Sequence, residues 1–186
     1  MSSLGDDLKN ALSSITSGVG DIVTTVRNVT KKNVVETLQA GSAIADASIT
    51  QIAGVASDAI KAASETGVSI TAAASGLIIG SVDGTKEVGG DVGHTVVEAA
   101  RGAIKGASEV GGDVGETAVA IVDGAVKAAG EIGADSGELA KNAVVGVLKA
   151  ADEIGSDAGS LIKKALLNAA ALPHDIIDAL LTGKTE

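Results

Sequence analysis

The chain has 186 residues, 45% of them hydrophobic, with no Phe, Tyr, Trp or Cys and a formal net charge of −10. That apolar content excludes a disordered chain. The charge speaks against nucleic acid, whose binding depends on Lys and Arg meeting phosphates, and against electrostatic attraction to anionic lipid. Without cysteine there is no disulfide framework and no thiolate metal site, and the redox compartment is not legible. Aromatics, which bury about 150–250 Å² each, are replaced by Ala, Val, Ile and Leu diluted with 25 Gly. Small aliphatics suit thin, regular interfaces and hence a repetitive architecture.

In chain order, Met1-Ser2-Ser3-Leu4-Gly5-Asp6-Asp7 has neither the basic start nor the apolar run of a signal peptide. Residues 1–20 read as an atypical N-terminal segment. The longest uncharged stretch, Thr66 to Val82, falls short of the roughly 20 mostly apolar residues a membrane span needs. Cytoplasm is the default compartment.

From about Asp21 to His174 the chain reads as tandem 22-residue units. Glu87-Val88-Gly89-Gly90-Asp91-Val92-Gly93 returns as Glu109 to Gly115, as Glu131-Ile132-Gly133-Ala134-Asp135-Ser136-Gly137 and as Glu153 to Gly159. A second signature, Ile104-Lys105-Gly106-Ala107-Ser108, matches Val126 to Gly130 and Leu148 to Asp152. It reaches back to Ile60-Lys61-Ala62-Ala63-Ser64 and, more faintly, to Leu38-Gln39-Ala40-Gly41-Ser42.

Twenty-two is twice eleven, and eleven residues make three turns of a helix at 3.67 per turn. Glu87, Asp91, His94, Glu98, Arg101, Lys105, Glu109, Asp113 and Glu116 follow steps of three and four, a stripe roughly 100° wide. Val88, Val92, Val96, Ala99, Ala103, Ile104 and Ala107 fill the remaining arc. Alternation of period two is absent, so the expected fold is all-α. Phase continuity and the eleven-residue step favour one long helix, with a right-handed supercoil on assembly.

The glycines favour the alternative. Fifteen between Gly89 and Gly159 would cost on the order of 15 kcal/mol in an unbroken helix, which close packing must return unless some are not helical. Gly133 could be a left-handed stop, with Asp135 as N-cap and Glu138 completing a capping box. Asp113 with Glu116 gives the same reading. Each unit then becomes a helix of about 17 residues and a tight turn, stacked up and down. Residues 175–186 read as a short C-terminal helix and tail.

Thr85-Lys86-Glu87-Val88-Gly89-Gly90 and the Gly/Val/Ala/Thr-rich units around it resemble the eleven-residue repeats of synucleins, and more loosely those of apolipoproteins and late-embryogenesis-abundant proteins. The resemblance implies long amphipathic helices formed on lipid or on drying. The mainly acidic stripe departs from the lysine-flanked apolar face of those families, which speaks against an anionic membrane.

Small residues four apart let a neighbouring backbone approach closely. The candidate interface is therefore Gly89/Gly93, Gly111/Gly115, Gly133/Gly137 and Gly155/Gly159, with Val88, Val110, Ile132 and Ile154 as apolar knobs beside them. Gly102/Gly106 form another such pair, echoed by Gly124 with Ala128 and Gly146 with Ala150. The resulting expectation is a non-enzymatic structural protein whose partner is itself, assembled as a bundle, coiled coil or filament. The alternative is an amphipathic-helix coat on a lipid droplet, storage granule or membrane.

No catalytic, cofactor-binding or metal site is expected. His94 reads as a solvated surface residue and His174, after Pro173, as a loop residue. Two isolated histidines do not make a transition-metal site. Asp91, Asp113, Asp135 and Asp157 are Gly-flanked, but a calcium site gathers 6–8 oxygens from a folded loop. The Gly pairs recur in every unit with no strand before them, unlike a dinucleotide fingerprint. The plentiful Ser and Thr have no histidine base at a meaningful spacing. Arg27, Lys31 and Lys32 form a small basic patch that reads as a solvated face. Thr24, Thr25, Thr30 and Thr37 keep no common period, unlike an ice-binding array.

Overall fold

A computed structural model describes residues 4–14, 19–40 and 45–182. Gly41 and Ser42 of the faint early repeat, the first three residues and the last four lie outside them. The described residues form helices α1 (Leu4–Ser13), α2 (Val19–Ala40), α3 (Ala45–Glu65), α4 (Ile70–Glu87), α5 (Val92–Glu109), α6 (Val114–Ile132), α7 (Ser136–Ile154), α8 (Ser156–Asn168) and α9 (His174–Thr182), with no strand among them. The protein is all-α, and its helices are stacked. The continuous helix favoured by phase is not formed, and the supercoil expected of it has no long helix to act on. His174 is the first residue of α9 rather than a loop residue.

The breaks come from two local devices repeated every 22 residues. Gly67, Gly89, Gly111 and Gly133 all have φ near +70°. At Gly111 the amide donates to the Ser108 carbonyl and the next amide, Gly112, to the Ala107 carbonyl at 2.7 Å. This paired return satisfies carbonyls that a helix end leaves open. Two residues after each such glycine comes a cap. The Asp91, Asp113 and Asp135 side chains accept the His94, Glu116 and Glu138 amides at 2.9 Å, and Ser69 accepts the Ala72 amide at 3.2 Å. Both devices are local, so they act before any tertiary packing and outweigh the preserved phase.

Packing within the chain follows from the glycines that stay helical. Gly76, Gly80 and Gly84 of α4 lie over Val23, Arg27 and Lys31 of α2; Gly102 and Gly106 of α5 lie over Ala53 and Ser57 of α3. Numbers rise together on both partners, so each helix runs parallel to the next but one. Short turns then make consecutive helices antiparallel. Two layers result, α1-α3-α5-α7-α9 and α2-α4-α6-α8, with neighbours in each layer also touching the opposite layer.

At Gly102 an added Cβ would sit 2.0 Å from the Ala53 carbonyl oxygen, so only glycine permits that approach. Gly124 over Ser75 and Gly146 over Val97 repeat the contact. The core between the layers is Ala, Val, Ile and Leu, including fully buried Ile60, Leu77, Ile78, Ile104 and Ile121. α4, which carries most of the uncharged run from Thr66 to Val82, has thirteen of its eighteen residues buried. No described helix is long and apolar enough to cross a membrane.

The faint early repeat needs a correction of one helical turn. Val34 meets Gly84 as Ile60 meets Gly106, both through Cβ at 3.1 Å. Val34, rather than Leu38, is therefore the counterpart of Ile60.

Candidate functional site

The charge stripe, cut into segments by the turns, becomes a ladder of ion pairs along each layer. In the odd-numbered layer Lys9 pairs with Glu65, Lys61 with Glu109 at 2.5 Å, and Arg101 and Lys105 with Glu153 at 2.5 and 3.2 Å. In the even-numbered layer Arg27 bridges Asp83 at 2.7 Å and Glu131 at 2.6 Å, and Lys31 meets Glu87 at 2.7 Å. The earlier helix supplies the cation and the later helix the carboxylate each time. Hydrogen bonds from Lys61 and Arg101 hold the Glu109 and Glu153 carboxyls below the ordinary Glu range. The Glu65 carboxylate, by the same kind of bond, pushes Lys9 up.

The basic patch thus faces protein acids: Arg27 and Lys31 are engaged as above, and Lys32 lies 4.0 Å from both Asp7 and Glu36. Asp91, Asp113 and Asp135 each commit a side-chain oxygen to a cap. Among the described residues no group of three His, Cys, Asp or Glu side chains is placed to hold a metal ion. His94 is half-buried at the start of α5.

The residues singled out as an interface fall into three environments inside the chain. Gly89, Gly111 and Gly133 are turn residues with open space around them, and Gly155, φ 133°, joins α7 to α8. Gly93, Gly115 and Gly137 face the next helix of their own layer. A Cβ there would lie 2.8 Å from Asn142 Nδ2, 3.0 Å from Ala165 Cβ and 3.0 Å from Ile176 Cδ1. Gly159 has only Ala151 Cβ, at 3.9 Å. Val88, Val110, Ile132 and Ile154 are half-buried at the helix ends.

Sequence reasoning missed the place where packing lapses. The close-approach glycines Gly80, Gly102, Gly124 and Gly146 recur every 22 residues, and the next position in that frame is Asn168. Beside it an apolar groove of about 620 Å³ opens between α6 and α8. Val119, Ala120, Ala165, Ala169, Ala171 and Leu172 line it, with Thr71, Glu116, Asp123 and Asn168 contributing polar groups. Beside it α8 buries only Ile162 and Leu166. Leu161 is 59% exposed and Leu167 39%. The broken glycine series was readable in advance; that its break opens a groove was not.

The chain matches no protein-family model and no curated protein.

Proposed function

We propose that this chain is a non-enzymatic structural protein that assembles with copies of itself, in a bundle, coiled coil or filament, through helix-face packing. The observation that carries this is the uncovered apolar surface beside α8. The earlier helices of its layer are each covered by the next, whereas α8 leaves Leu161 and Leu167 in solvent beside an apolar groove. In stacked repeats a terminal unit needs a polar outer face to stay apart from its neighbours, and the exposed Ser160, Lys163, Lys164 and Asn168 of α8 are interrupted by Leu161 and Leu167. The non-enzymatic reading draws on how the polar side chains are used. Asp91, Asp113 and Asp135 serve as caps, and Arg27, Lys61 and Arg101 are held in ion pairs.

A second reading, a coat on a lipid droplet, storage granule or membrane, takes support from the same exposed leucines meeting an apolar surface instead of protein. Light scattering with circular dichroism on purified protein, with and without neutral vesicles, separates the two. A helical species whose mass grows with concentration in plain buffer is the expected result. A chain that gains helix only on vesicles would replace assembly with the coat.

A further inference from the structure

The two ends of the even-numbered layer offer different surfaces to a further helix. Gly80 lies over Arg27 in α2 and Gly124 over Ser75 in α4, so Arg27 and Ser75 occupy equivalent places. In that register Gly76, Gly80 and Gly84 of α4 correspond to Asn28, Lys32 and Glu36 of α2, all exposed. Where every inner helix of the layer before α8 has a small residue for close approach, the first helix has long polar side chains. That face of α2 lacks the small residues through which the layer makes its close approaches elsewhere, so it does not offer a second copy the same contact.

The last helix of the layer is built the opposite way. Leu161, Ala165 and Asn168 share one face of α8 by their spacing of four and three, and Ala165 and Asn168 line the groove. The exposed Leu161 therefore stands on the groove side of α8, with Lys164 three residues on. Across the groove lie the Glu116 and Asp123 carboxylates. Asp123 is engaged by Lys127 at 2.6 Å, while the Glu116 side chain has no partner among the described residues. An apolar floor with an acidic edge thus adjoins an apolar knob with a basic neighbour. Because groove and knob lie side by side on one surface, a single two-fold rotation engages both at once.

We propose that the α6/α8 groove of one copy receives Leu161 and Lys164 of a second copy and gives its own pair in return. The result is a two-fold dimer closed at the C-terminal end, with Lys164 of each chain meeting Glu116 of the other. The proposal rests on the self-assembly reading and narrows it, since an isologous contact closes on itself at two chains.

Sedimentation velocity across a concentration series tests it on the full chain, with melting followed by circular dichroism to verify the fold. Wild type is expected to form a concentration-dependent dimer. Leu161→Lys should weaken dimerisation at least about tenfold, with melting unchanged at concentrations where the wild type is monomeric, because Leu161 is exposed in the single chain. Glu116→Lys and Lys164→Glu should each weaken it, and the double exchange should restore it. The exchange reads the same contact without touching Leu161. Dimers indifferent to all of these changes would overturn the groove contact and leave self-assembly standing. Species growing beyond the dimer would overturn closure. A wild-type monomer at every concentration would overturn the dimer and the self-assembly reading together.

Discussion

From α2 to α7 the stack is held by backbone approach at mid-helix glycines, whereas α6 and α8 meet closely at Gly115, beside the Leu161 carbonyl, and leave an apolar groove next to Asn168. Gly102 sits so close to Ala53 that no side chain fits, whereas Asn168, at the same place in the repeat, stands at the edge of an open groove. The caps differ likewise. Asp113 binds the first turn of α6 at 2.9 Å, while α8 has Gly155 as its N-cap and no side-chain hydrogen bond to its N-terminus. One repeat thus yields a tight interior and a loose end by changing a few residues. Close packing in this protein is a property of the small residue and not of the repeat as such.

The largest expected contrast comes from truncating one apolar side chain in each region. Ile104→Ala removes a fully buried side chain and should cost about 2–5 kcal/mol in urea melts. Leu161→Ala, measured on the dilute monomer, should fall within about 0.5 kcal/mol of wild type. Equal effects would dissolve the distinction between interior and end. Gly102→Ala should cost about 1–3 kcal/mol, even though alanine favours a helix by about 1 kcal/mol. Its Cβ would meet the backbone of Ala53, which cannot yield without parting α3 from α5. A neutral or stabilising result would mean that the two helices separate freely.

Smaller effects sharpen the same contrast. Asp113→Ala should lose about 1 kcal/mol, measured by thermal melting, and Asp157→Ala close to none. Gly130→Ala should stabilise by about 0.5–1 kcal/mol, since Gly130 is helical, exposed and has open space at its Cβ. The smallest effect is that of acid on the ladder. Glu109 and Glu153 have folded pKa values below the ordinary Glu range. Their stabilisation is therefore complete above that range and is lost as pH falls through the depressed folded values. Both pairs are solvent-exposed, so the loss is modest. Lys61→Met should flatten the acid limb of a melting-temperature profile, and an unaltered limb would remove Glu109 from the account.

How much of this was legible beforehand differs from element to element. The caps at Asp113 and Asp135 and the stop at Gly133 could be read directly, because each depends on residues within one turn of itself. The stripe from Glu87 to Glu116 misled, since its phase survives the break. A 22-residue unit places each charge on the same edge of the stack whether or not the helix is continuous. Gly89 and Gly93 look like one small-residue pair, yet the first serves a turn and the second faces α7 near Asn142. Spacing alone cannot separate a left-handed φ from a close contact.

By itself the sequence determined the helical class, the length of the unit and the chemistry of each turn, since all three rest on local hydrogen bonds and periodicity. Only the tertiary structure decided which glycines touch which helix. Those contacts join residues two units apart, as Gly102 joins Ala53, with an offset set by the turns and the stagger between helices. For the same reason the groove beside Asn168 belongs to the fold. It is lined by residues of α4, α6 and α8 together with Ala171 and Leu172, and that space exists only once those helices are in place.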